Sequence, residues 1–289
     1  MIRWLTFLKN MTNAAGHGSF FPSRAPVATA PGGTVDPQPT ADVLTRLQAE
    51  HGWFEYSHHT LPISGLTERI RILHLTDVHI RQEDEALSAL CHKVSQARPD
   101  LVVITGDVVT RGWSEEAVVR FLRALPPARL GRFAIMGNWE YWSGASLDRW
   151  RPLLAAHDVV LLHEDWVDLG PIVLAGTDDH LAGQSEPEVL LSRLPRDRPA
   201  VMLTHSPAFF PSLAEPPVKL VLSGHSHGGQ VRIPGLGALW APRGTGSYLA
   251  GWFEKDGCYL FVSRGLGWSV APLRLYCPPE LAWIDLTPA

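Results

Sequence analysis

Apolar and polar positions follow two regimes along this chain. Between Ile70 and Ala156, short apolar runs rich in β-branched residues alternate with stretches of helical periodicity. The runs are Ile70–Thr76, Leu101–Thr105 and Arg132–Met136, and the helical stretches are Glu83–Ala97, Ser114–Leu125 and Ser146–Ala156. Strand and helix in strict alternation predict a parallel sheet. After Val159 the apolar runs succeed one another across short turns: Val159–His163, Trp166–Leu169, Pro171–Gly176, Ala200–Thr204, Lys219–Ser223, Gln230–Ile233, Cys258–Ser263, Leu273–Tyr276 and Leu281–Leu286. One helical stretch, Glu186–Leu194, interrupts them. Two sheets face to face with helices outside would bury all these strands, which gives an α/β fold, a four-layer α-β-β-α sandwich of two mixed sheets.

Ahead of this pattern, residues 1–40 hold one short apolar stretch, Trp4–Leu8, and then a mixture of Pro, Gly, Ser, Ala and Thr. That stretch falls short of the about 20 residues of a membrane-spanning helix and of the roughly 7 to 15 of a signal-peptide core. It reads as a disordered arm, with Trp4, Phe7, Phe20 and Phe21 as the side chains through which it would touch a membrane or partner. Ala41–Glu50 predicts a short helix and Trp53–Leu61 an edge strand. Residues 41–289 then form a single domain, with no linker to divide it.

With 289 residues, 45% of them hydrophobic and 19% charged, the chain can build a large core without disulfides. The net charge of −4 excludes nucleic-acid binding through a basic surface. Three cysteines without a CxxC pair indicate neither a disulfide framework nor a zinc knuckle. No obligate protein partner is implied, and the expected location is cytoplasmic, peripheral to the membrane if the arm makes contact.

The candidate chemistry lies where apolar runs stop. Asp77 and His79 follow the first run, Gly106-Asp107 the second, and Gly137-Asn138 the third, while His205 and then Gly224-His225-Ser226-His227 end two later ones. Residues two apart in an extended segment share a face, so Asp77 and His79 converge on one point. In open α/β sheets strand carboxyl ends gather at one edge, where such groups form a cage. The glycines before Asp107, Asn138 and His225 would let the backbone turn sharply there. His225 and His227 could share one metal ion or take one each. Nitrogen and oxygen donors without thiolate suit manganese, iron or zinc alike.

In this order and spacing, Asp77-Val78-His79, Gly106-Asp107, Gly137-Asn138, His205 and Gly224-His225-Ser226-His227 resemble the calcineurin-like metallophosphoesterases. Ser223–Gly235, Ser263–Gly267 and Pro272–Glu280 resemble the YkuE and YaeI type of phosphodiesterase within that family. The likeness covers nearly everything after Arg69. It implies two divalent ions: Asp77, His79 and His227 would hold one, Asn138, His205 and His225 the other, and Asp107 would bridge them. The implied reaction is hydrolysis of a phosphoester, nucleotide- or lipid-linked, by in-line attack of a metal-activated hydroxide.

One position departs from the family. Its third block usually continues Gly-Asn-His, with a histidine thought to protonate the leaving group, whereas this chain reads Gly137-Asn138-Trp139-Glu140. Indole cannot donate that proton at neutral pH. Three explanations are open: a substrate whose leaving group needs little help, another acid such as His180, or weak or lost catalysis in a protein that still binds metal. The first ranks ahead, and with it the alternative of a UDP-2,3-diacylglucosamine hydrolase type of pyrophosphatase. Trp139 is a candidate to wall the substrate pocket, and Arg111 and Arg264 to grip a phosphate.

Overall fold

The computed structural model describes residues 34–35, 54–269 and 272–289; the rest of the expected arm and the helix expected over Ala41–Glu50 lie outside them. In chain order the strands are β1 (Thr34–Val35), β2 (Glu55–Ile63), β3 (Ile70–Leu75), β4 (Leu101–Ile104), β5 (Arg132–Ala134), β6 (Val160–Leu161), β7 (Asp165–Asp168), β8 (Val173–Gly176), β9 (Ala200–Leu203), β10 (Val218–Ser223), β11 (Arg232–Ile233), β12 (Gly237–Ala238), β13 (Gly251–Lys255), β14 (Cys258–Val262) and β15 (Glu280–Pro288). The α-helices are α1 (Glu85–Ser95), α2 (Glu115–Ala124), α3 (Asn138–Trp142), α4 (Leu147–Ala155), α5 (Pro187–Ser192) and α6 (Phe210–Leu213).

One sheet runs β1-β2-β15-β3-β4-β5-β6 and the other β13-β14-β10-β9-β8-β7, while β11 and β12 form a separate hairpin. The apolar seam between the sheets takes Ile72, Leu101, Val103 and Ile135 from the first and Leu174, Leu203, Leu222 and Phe261 from the second. On the outer face of the first sheet Leu90, Val94, Phe121 and Trp150 pack from α1, α2 and α4. On the outer face of the second, Leu190, Phe210 and Leu213 pack from α5 and α6. Helices therefore flank both sheets in the four-layer order, since each sheet has two apolar faces to cover. Asp84 caps α1 by accepting the N–H of Leu87 at 2.7 Å.

Both sheets are mixed. The last strand, β15, lies between β2 and β3, parallel to the former and antiparallel to the latter. The strand expected at Trp53–Leu61 is Glu55–Ile63, and it is not an edge, because β1 pairs on its outer side. The strand expected at Leu273–Tyr276 is reduced to a single bridge between Leu275 and Val231. Both departures are tertiary, set by partners distant in sequence. Among the described residues no helix is long and apolar enough to cross a membrane.

Candidate metal centre

The carboxyl ends of three strands from the first sheet and two from the second meet at one end of the seam. From the first sheet β3 delivers Asp77 and His79, β4 Asp107, and β5 Asn138; from the second β9 delivers His205 and β10 His225 and His227. The expectation of one sheet edge is thus corrected to a seam between two. All of these side chains are at least nine-tenths buried. They form two groups, Asp77 with His79 and His227, and Asp107 with His205 and His225, each with its ligand atoms within 4.8 Å of one another.

In the first group His79 Nε2 and His227 Nε2 are 2.9 Å apart, and Asp77 Oδ1 lies 3.3 Å from the latter. In the second, Asp107 Oδ2 is 3.1 Å from His205 Nε2, which is also 3.1 Å from Asn138 Oδ1 and from His225 Nδ1. Asp107 Oδ2 reaches the first group too, at 3.8 Å from His79 Nε2. His205 Nδ1 donates to the Thr105 carbonyl at 2.7 Å and His225 Nε2 to that of Arg243 at 2.6 Å. Each of these bonds turns the other ring nitrogen inward, the arrangement of a metal-ligating histidine. So many buried nitrogen and carboxylate lone pairs facing one another suit divalent cations.

The backbone behind these groups is unusual. Asp77 (φ 53°), His79 (φ 54°), Asp107 (φ 53°), His225 (φ 67°) and His227 (φ 50°) all sit in the left-handed region, where a side chain with a Cβ is sparsely tolerated. The expected role of the preceding glycines holds only at Gly106, with φ 85°. Gly137 is extended at φ −112°, ψ −179°. It is needed for space, since a Cβ there would lie 2.5 Å from the Asp107 nitrogen, and one on Gly224 would strike Thr76 and Asp77.

Burial disfavours imidazolium and lowers His79 and His225 to about 4. Burial and the neighbouring His79 hold His227 well below its usual value. These three are neutral at pH 7, the form that binds metal. Burial also pushes Asp77 up to about 6. His205 goes the other way, since the pull of Asp107 outweighs its burial and raises it well above the usual value. The carboxylates draw positive charge to this point.

Several residues that local sequence reasoning passed over complete the centre. Glu140, fully buried, accepts N–H groups from Gly137 (2.7 Å), Asp107 (2.9 Å) and Val108 (2.6 Å) and so ties the β5 turn to the β4 turn. Asp178, at the end of β8, accepts from Tyr141 Oη at 2.5 Å and lies 3.2 Å from His163 Nε2. Its neighbour Asp179 is buried, with Oδ2 unpartnered, and burial raises it to about 6. Two carboxylates directly after an apolar strand were the available signal. Arg274 is 1% exposed behind His227 and donates to the carbonyls of Arg264 (2.8 Å), Gly267 (2.8 Å) and Cys277 (3.3 Å).

The remaining candidates are spread around the centre. Trp139 donates its backbone N–H to Asp107 Oδ1 at 2.8 Å, and its ring meets His79 edge-on with centroids 5.8 Å apart. His180 packs edge-on against Phe209 at the rim of a groove that it shares with Arg243 and Gly244. Arg111 is exposed. Arg264 is not free to grip a substrate phosphate as expected: Nη1 lies 3.0 Å from Glu55 and Nε 3.3 Å from Glu280, so its charge is spent on holding two strands.

Residues 70–229 match the calcineurin-like phosphoesterase family. The chain is 29% identical to the metallophosphoesterase YkuE of Bacillus subtilis, with 80% of this chain and 85% of that protein aligned. It is 31% identical to the phosphodiesterase YaeI of Escherichia coli, over 82% of this chain and 90% of that one. To the UDP-2,3-diacylglucosamine pyrophosphatase LpxG of Chlamydia muridarum it is 28% identical, over 73% and 82%. The chain belongs to the calcineurin-like phosphoesterase family and is a metal-dependent phosphoester hydrolase.

Proposed function

We propose that the chain is a phosphodiesterase in which Asp77, His79 and His227 hold one divalent ion, Asn138, His205 and His225 hold a second, and Asp107 lies between them. The observation that carries this reading is the position of Asp107, whose single Oδ2 faces His205 at 3.1 Å and His79 at 3.8 Å. Manganese, iron or zinc bound there would supply a water-derived nucleophile near neutral pH and neutralise the phosphoryl oxygens. The protein's part is to hold the ligands rigid. Thr105 and Arg243 fix two imidazole tautomers through their carbonyls, and Glu140 fixes the turn that carries Asp107.

Trp139 stands where the family's histidine would stand and offers no proton to a leaving group. This favours substrates whose leaving group departs unaided, such as an aryl alcohol, a nucleotide monophosphate or one half of a pyrophosphate. The likeness to LpxG supports the pyrophosphate version as the second reading. His180 is the candidate acid if one is used, and Arg111 is the candidate for the substrate phosphate now that Arg264 is committed elsewhere.

The test is hydrolysis of bis(p-nitrophenyl) phosphate by metal-stripped protein with manganese, iron or zinc restored. Metal-dependent turnover that disappears in Asp107→Ala is expected. Turnover indifferent to metal or to Asp107 would overturn the proposal.

A further inference from the structure

Helix α3 carries Asn138 at its first position yet is only five residues long. A helix of that length is not stable by itself, so its direction is set by what its side chains hold. They reach the second sheet at two points. Asn138 Oδ1 lies 3.1 Å from His205 Nε2, just past β9, and Tyr141 Oη donates to Asp178 Oδ1 at 2.5 Å, just past β8. The two anchors are neighbours: β8 and β9 are parallel with Gly176 opposite Leu203, and Asp178 and His205 each follow two residues later. Asn138 and Tyr141, three apart, share a face of the helix. Tyr141 thus fixes α3 about one turn beyond the candidate ligand.

Asp178 is built to be a rigid anchor. Its Oδ1 takes Tyr141 Oη and the Asp179 N–H (2.7 Å), and its Oδ2 faces the Gln184 N–H (2.6 Å) and His163 Nε2 (3.2 Å). These four groups use the acceptor sites of a carboxylate in full. Burial works against the charge, but His163, Tyr141 and the two backbone groups outweigh it and hold the Asp178 carboxyl below its usual value. The loop after β8 closes tightly over it, since a Cβ on Gly183 would lie 2.2 Å from Oδ2. His163 comes from the first sheet, two residues beyond the end of β6, so the carboxylate also bridges the two sheets beside the centre.

Resting on the reading above that Asn138 is a metal ligand, we propose that Asp178 and Tyr141 are positioning residues for the second candidate site, aiming the Asn138 carboxamide through α3 at the ion shared with His205 and His225. The first site, Asp77 with His79 and His227, has no ligand on this helix and does not depend on them. Hydrogen-bonding partners behind metal ligands typically change affinity about 10- to 100-fold.

The test is a manganese titration of the metal-stripped full chain, which needs no turnover. Tyr141→Phe removes one oxygen and keeps the ring, and urea unfolding in chelator checks that the variant folds. One of the two affinities is expected to weaken about 10- to 100-fold while the other holds. Asn138→Ala supplies the second arm of a double-mutant cycle: whatever this variant still binds should bind with the same constants whether residue 141 is tyrosine or phenylalanine. Parent affinities at both sites in Tyr141→Phe would overturn the inference and leave the two-ion reading standing. An equal fall at both sites, or a loss that persists in the Asn138→Ala background, would also overturn it, because Tyr141 would then act on the fold and not through Asn138. A parent protein that binds fewer than two ions overturns the two-ion reading itself, and the inference with it.

Discussion

The Glu140 carboxylate accepts the backbone N–H of Asp107 at 2.9 Å, although the two residues belong to different strand-end turns. Its other contacts, to Gly137 and Val108, make one buried side chain the fastener of both turns. Glu140→Gln would set an NH₂ group against these donors. A buried donor left unpaired costs about 1–3 kcal/mol, so thermal unfolding should shift down clearly and metal content per chain should fall. An unchanged melting temperature would show that the turns hold without it.

Trp139 keeps its backbone bond to Asp107 whatever its side chain, so Trp139→His should preserve the fold. General acid catalysis is typically worth about 10²–10⁴ in rate. The gain should be confined to esters with poor leaving groups. In the parent protein, rate should fall steeply as leaving-group pKa rises, and in the variant less so; equal slopes would contradict the absence of an acid.

Gly224→Ala tests close approach. The new methyl would meet Thr76 and the Asp77 carboxylate, so Asp77 must move away from His79 and His227. Overpacking of this sort costs about 1–3 kcal/mol. Metal titration should show the loss of one site ahead of the other, whereas equal loss of both would mean that the variant is globally unfolded.

Glu280 makes stability depend on pH on the acid side. Burial alone would raise its carboxyl, but Arg264 outweighs this and lowers it from 4.5 to about 2. A depressed folded-state value means that the stabilisation is complete above about 4.5 and is lost as pH falls towards 2, on the order of 3 kcal/mol in all. Urea unfolding at pH 7 and pH 3 should show a smaller difference for Glu280→Gln than for the parent protein.

Divalent metal should stabilise the folded chain, since the ligand groups come together only there. At a free concentration 100 times Kd the gain is about 2.7 kcal/mol. A chelator should therefore lower the melting temperature, and Asp107→Ala should shrink the difference.

The sequence alone determined which residues are the candidate ligands, because each stands where a local apolar run stops, and a strand end is a local property. It determined the sandwich for the same reason, as Leu101 to Ile104 and Ala200 to Leu203 have no polar face to show to water. What only tertiary structure decided depends on neighbours far along the chain. β15 lies between β2 and β3, Arg264 is taken by Glu55 and Glu280, and Glu140 reaches across to Asp107. Gly137 and Gly224 make the same point: a glycine in sequence suggests a turn, but here each leaves room for another segment's carboxylate, and that contact exists only once both sheets have closed on the seam.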